Sequence, residues 1–141
     1  MSIERIRILT PMIIPLLLAG IAVPLALMAA QQKDEAAVKT GQALYSQYCR
    51  SCHGDTASGD GPAATALKVR PADLTRIARN HKGFPTEKVM DWIDGEKYAV
   101  GHGSREMPVW GKRFRRSASA DAGSANEVKS LAKYLESIQQ K

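Results

Sequence analysis

Both cysteines of the chain fall inside one pentapeptide, Cys49-Arg50-Ser51-Cys52-His53. Two thiols three residues apart, with a histidine directly after the second, have the C-x-x-C-H form that marks covalent c-type haem attachment. The spacing follows from the chemistry. On one turn of helix both thiols can add to the vinyl groups of one porphyrin edge, and the adjacent imidazole reaches the iron. A chain built around such a unit must fold about a large planar group. The same pair could also be read as a redox dithiol or a structural disulfide, but neither calls for the histidine. A zinc site would require further ligands, usually from a second cysteine pair, and the chain has none.

The 141 residues suit one domain. Much of the apolar content is concentrated at the start: no residue from Ile8 to Gln32 is charged, with Arg5 and Arg7 before the stretch and Lys33, Asp34 and Glu35 after it. This is an export signal or an N-terminal membrane anchor through residues 8–30. We therefore expect residues 1–32 to be the targeting or anchoring segment and 33–141 to be a domain on the periplasmic or extracytoplasmic side. Small residues around Ala29 and Ala30 are poorly spaced for a signal peptidase, and Pro11, Pro15 and Pro24 interrupt a spanning helix, so cleavage and retention stay open. The chain is basic, with 20 Lys and Arg against 14 Asp and Glu. In an exported protein that charge points to an acidic redox partner or to anionic lipid, not to nucleic acid.

Good helix formers without proline predict a helix over Asp34–Tyr48, leading straight into the cysteine pair. Pro62 opens a short helix through about Leu67, and Pro71 stops it. Thr86 to Asp94 reads as a helix with Thr86 as its cap and Gly95 at its end. A glycine-rich loop follows through Gly101, Gly103 and Gly111. From about Asn126 a last helix carries Val128, Leu131, Ala132, Leu135 and Ile138 on one face. The tract from Ser117 to Ser124 reads as a surface loop, and no run alternates as a strand would. The fold class is all-α.

A sixth ligand for the iron must come from far along the chain, and Met90, Met107, His81 and His102 are the candidates. Met107 suits best, because Pro108 and the flanking glycines extend the backbone that would present its thioether. Met90 lies on the apolar face of a helix, where methionine fills gaps. His102 is the alternative and would lower the reduction potential.

With these residues in view, the chain resembles the class I cytochrome c family from about Ala36 to Gln139. Gly41, Tyr45 and Cys49 match that family's glycine and aromatic at intervals of four before the first haem cysteine, and Leu131 with Tyr134 is similar to its pair on the last helix. The resemblance implies a small cytochrome c fold in which the N- and C-terminal helices cross beside a covalently bound haem c. Gly61-Pro62-Ala63 is similar to the family's loop whose proline carbonyl accepts a hydrogen bond from the haem histidine, which implies that role for Pro62, nine residues after His53, rather than for the alternative Pro71. Met107-Pro108 with Trp110 looks like its methionine loop. Trp92, Tyr98 and Trp110 are expected to wall the haem pocket, and Lys68 and Arg70 are candidates to meet propionates.

The implied function is one-electron transfer in a respiratory chain by a haem held at Cys49 and Cys52 and ligated by His53 and Met107. Docking would use the basic run Lys112, Arg113, Arg115 and Arg116. An alternative is a membrane-tethered cytochrome subunit of an oxidase or dehydrogenase. A haem peroxidase or gas sensor would need an open iron and a distal acid/base pair, for which the sequence offers no evident residues.

Overall fold

The computed structural model describes residues 10–95, 107–117 and 121–140, with side chains from residue 27 onward except at 117 and 121–124. It divides into two compact units, Met1–Glu35 and Ala36–Lys141. Secondary structure among the described residues is entirely helical: α1 (Thr10–Tyr48), α2 (Arg50–His53), α3 (Ile77–His81), α4 (Thr86–Asp94), α5 (Trp110–Ser117) and α6 (Asp121–Ser137), with 3-10 turns at Ala64–Ala66 and Leu74–Arg76.

In the first unit the chain is helical from Thr10, so α1 begins well before the expected Asp34. Leucine, alanine and methionine propagate a helix as readily as the charged residues that follow. Leu27 and Met28 are exposed. Among the described residues no helix is long and apolar enough to cross a membrane. The segment expected to export or anchor the chain, residues 8–30, lies outside the described side chains up to residue 26.

The second unit is built on α6. Val128, Leu131, Ala132 and Leu135 are buried on one face of it, at the spacing read from the sequence. Helices α4 and α5 pack against this face and against each other. Helix α4 contributes Val89 and Ile93, and α5 contributes Phe114, one of the largest fully buried side chains. Near the end of α1, Tyr45 joins the same core and its ring lies 5.3 Å from that of Tyr134 on α6. This close crossing depends on Gly41, which is buried. A Cβ placed there would land on the Ser130 carbonyl and within 2.8 Å of the Tyr134 Cβ.

Several boundaries differ from expectation. Pro62 opens no α-helix; only a 3-10 turn forms at Ala64–Ala66, since the eight residues between Pro62 and Pro71 are too few for a stable α-helix. Thr86 does not cap α4. Pro85 holds the cap position, no side chain caps the helix, and the Thr86 N–H bonds the Phe84 carbonyl at 3.1 Å. The tract from Ser117 to Ser124 is not a loop throughout, because α5 runs to Ser117 and α6 starts at Asp121. Its alanines extend a helix at little cost when a packed helix follows. Helix α5 was hidden by its own charge: four of its eight residues are Lys or Arg. The signal that could have revealed it is Trp110 with Phe114, one helical turn apart.

Gly41→Ala tests the crossing. Overpacking should cost about 1–3 kcal/mol, partly offset by the roughly 1 kcal/mol better helix propensity of alanine. Thermal denaturation of the haem-loaded protein should show a clear drop in Tm, whereas Gln42→Ala on the exposed face should leave Tm unchanged.

Candidate functional site

The site grows from the end of α1. The Cys49 N–H bonds the Tyr45 carbonyl at 2.9 Å, and the His53 N–H bonds the Cys49 carbonyl at 2.9 Å. Helical geometry thus continues through the pentapeptide, and residues i, i+3 and i+4 share a face. Cys49, Cys52 and His53 accordingly open together onto one cavity of about 520 Å³. That volume lies within the range of about 300–1,000 Å³ common to cofactor sites. Gly54 then turns the chain away at φ 84°, where a Cβ would strike the Asp60 carboxylate. The buried Tyr45 hydroxyl donates to the Gly54 carbonyl at 2.6 Å and pins the end of the turn to the core.

The remaining walls are almost wholly apolar. Leu131 and Leu135 come from α6, Val89, Trp92 and Ile93 from α4, and Leu74 and Ile77 from the segment before and into α3. Met107, Pro108 and Trp110 form a further wall from the start of α5. Such a surface suits a flat hydrophobic macrocycle and excludes water from its centre.

His53 is poised as a ligand. Its Nδ1 lies 3.0 Å from the Ala72 carbonyl oxygen. A carbonyl only accepts, so Nδ1 carries the proton and the Nε2 lone pair is left for a metal. Burial pushes the imidazole below its usual pKa, against the opposing pull of the Ala72 bond, and so favours the neutral form that coordinates iron. The cysteines are free thiols. Burial, and then the neighbouring Cys52, push the Cys49 thiol up to about 12. A disulfide-exchange enzyme requires a low thiol pKa, so this environment disfavours the redox dithiol reading. Among the described residues no group of three or more His, Cys, Asp or Glu could hold a bare metal ion. The donor set suits an iron that brings its own macrocycle.

The structure sorts the expected residues. Cys49, Cys52, His53, Met107, Trp92 and Trp110 all line the cavity. Met107 is 41% exposed at its mouth. Met90 packs against the core and does not line the cavity. His81 sits outside the cavity, its ring 5.6 Å from that of Trp92. Tyr98 and His102 lie outside the described residues. Pro62 is a correction: it is exposed, borders a separate polar groove and does not serve His53. The accepting carbonyl belongs to Ala72, just after Pro71, because the chain returns to the imidazole only after the loop and 3-10 turn that follow Pro62. A backbone carbonyl leaves no side-chain signal, so no sequence pattern marks Ala72.

Tyr48 was also missed. It lines the cavity, packs on Trp110 and Phe114 with centroids 5.4 Å apart in each case, and carries the Arg113 guanidinium 5.4 Å above its ring. Its position directly before Cys49 was the available signal. Within the basic run, Arg115 bonds Asp94 at 3.1 Å and is half-buried, whereas Lys112, Arg113 and Arg116 are exposed, with Arg113 lying over the Tyr48 and Trp110 rings. Arg70 donates to the Gly59 carbonyl at 3.3 Å.

A family model described as cytochrome c oxidase, cbb3-type, subunit III matches residues 36–135. The chain belongs to this family. Members of it are c-type cytochrome domains, so this chain carries a covalently bound haem c and transfers electrons, and its all-α architecture is that of a cytochrome c. Domains of this kind are typically extracytoplasmic. No curated protein and no solved structure matches the chain significantly.

The Tyr45 bond makes a pH-dependent prediction. Burial, then Cys49, raise the Tyr45 phenol above its ordinary value of 10 in the folded protein. Its stabilising contribution is therefore complete below pH 10, where the phenol is protonated in both states. It is lost as pH rises further, because the unfolded phenol releases its proton first. Tyr45→Phe should cost about 0.5–1.5 kcal/mol in urea denaturation at pH 7, through the lost bond, while the Gly54 carbonyl keeps the longer bond from the Ala57 N–H at 3.3 Å. The same variant should lose less stability than the wild type between pH 10 and pH 11.

Proposed function

We propose that the chain moves single electrons as the haem c subunit of an oxidase-type assembly on the extracytoplasmic face of a membrane. Cys49 and Cys52 would hold the haem by thioether bonds, and His53 and Met107 would supply ligands to its iron. When bound, haem supplies an iron that gains and loses one electron with little change in geometry. The observation that carries this reading is that all four side chains line one apolar cavity. The family assignment favours an oxidase subunit over a dehydrogenase subunit.

Each part of the chain has a task in that reading. The Ala72 carbonyl orients His53 and strengthens its donation, as outer-shell partners of metal-bound histidines do. Trp92 and Trp110 pack against the macrocycle, and Pro108 holds the backbone that presents Met107. A thioether on the sixth position favours the reduced iron and raises the potential, which suits an electron donor to an oxidase. The described lining contains no Asp, Glu, Lys or Arg, which favours electron transfer over peroxidase chemistry, since that requires acid/base groups over an open iron. Whether residues 8–30 tether the protein is tested by the detergent dependence of its extraction and by co-purification with membrane subunits.

A second reading is a diffusible carrier. The exposed Lys112 and Arg116 on α5, close to the Met107 side of the cavity, favour it. They would dock an acidic partner, and transfer to that partner would slow steeply as salt rises.

Absorption spectra of the exported protein test the ligation directly. The ferric wild type should show the weak near-infrared band of methionine-to-iron ligation, and Met107→Ala should lose it and bind carbon monoxide readily when reduced. A wild type without that band, or with avid carbon monoxide binding, would overturn methionine ligation and reopen catalysis or sensing.

A further inference from the structure

The C-terminal residues after α6 are tied to the segment that serves the haem histidine. The Gln139 carboxamide is fully used: Nε2 donates to the Leu74 carbonyl at 2.7 Å and to the Leu135 carbonyl at 2.6 Å, and Oε1 accepts from the Ala78 N–H at 2.8 Å. The next residue adds a fourth link, from the Gln140 N–H to the Thr75 carbonyl at 2.9 Å. The bond to Leu135 anchors the side chain on α6, whose Leu131 and Leu135 wall the cavity. The other bonds hold residues 74–78.

Leu74 is thereby fixed through both of its backbone groups. Gln139 holds its carbonyl, and its N–H bonds the Ala57 carbonyl at 2.8 Å. Ala57 is buried and sits in the left-handed region at φ 60°, a conformation a non-glycine residue keeps only where its surroundings impose it. Two residues before Leu74 stands Ala72, whose carbonyl accepts from His53 Nδ1. The direction and distance of that carbonyl depend on a clamp with Ala57 on one side and Gln139 on the other.

We propose that Gln139 is a positioning residue for His53, acting through the 72–78 segment to keep the Ala72 carbonyl on the imidazole. The inference rests on His53 being the iron ligand. A looser Ala72 bond makes the imidazole a poorer electron donor and destabilises ferric iron, so the reduction potential rises. General loosening of the fold acts the other way, because water admitted to the cavity stabilises the ferric charge.

The test compares haem-loaded wild type with Gln139→Met, which keeps bulk and loses every bond, and Gln139→Glu, whose carboxylate still accepts from Ala78 but cannot donate to Leu74. Ser137→Ala is the control, since it removes a hydrogen bond to the Tyr134 carbonyl in the same terminal turn without touching residues 72–78. Both Gln139 variants should exchange the His53 Nδ1 proton about tenfold faster by NMR in the reduced state and have a higher potential, with the control unchanged. Folded variants with wild-type exchange and potential, or with a lowered Tm and a lowered potential, would overturn the role of Gln139. Paramagnetically shifted His53 ring resonances in the ferric wild type report its iron ligation independently, so loss of one claim is told apart from loss of the other.

Discussion

Continuation of helical geometry for one turn beyond α1 is the constraint on which the rest of this structure depends. The bonds from Cys49 to the Tyr45 carbonyl and from His53 to the Cys49 carbonyl put two thiols and an imidazole on one face without any long-range contact. Everything else serves to bring apolar surface to that face. Tyr45 makes the connection twice, with its carbonyl inside the turn and its hydroxyl on Gly54 beyond it. The two thiols and the imidazole are thus fastened to the same buried side chain that seats α1 against α6.

The second half of the domain is organised around what the first half cannot supply. A planar cofactor needs walls on both faces, and a turn of helix offers one. Helices α4 and α5 provide the opposite wall through Val89, Trp92, Ile93 and Trp110. Their mutual placement is helped by the half-buried pair of Arg115 and Asp94, beside which Gly111 leaves no room for a side chain. A charge pair at that depth stabilises little by itself, but it links the end of α4 to α5, the helix that follows Met107.

The polar groups nearest His53 are backbone carbonyls held by distant parts of the chain. Ala72 serves His53, and its neighbour Leu74 is gripped by Ala57 and Gln139. In a cavity with so few polar atoms, one hydrogen bond to the His53 imidazole is a large share of the electrostatic environment, which is why the proposed role of Gln139 acts through it.

The sequence by itself determined the shared face of Cys49, Cys52 and His53, the helical class, the buried face of α6, α4 from Thr86 to Asp94, and the choice of Met107 over Met90 as the residue facing the cavity. All of these are local: they follow from spacing within a turn, from periodicity, or from proline and glycine beside a residue. Only the tertiary structure decided that Ala72 and not Pro62 meets His53, that the charge-rich stretch after Trp110 is a helix, that Tyr48 joins the wall, and that Gln139 reaches back across the fold. Those outcomes depend on which distant backbone atoms come together once the cavity closes, and a carbonyl carries the same chemistry at every position of the chain.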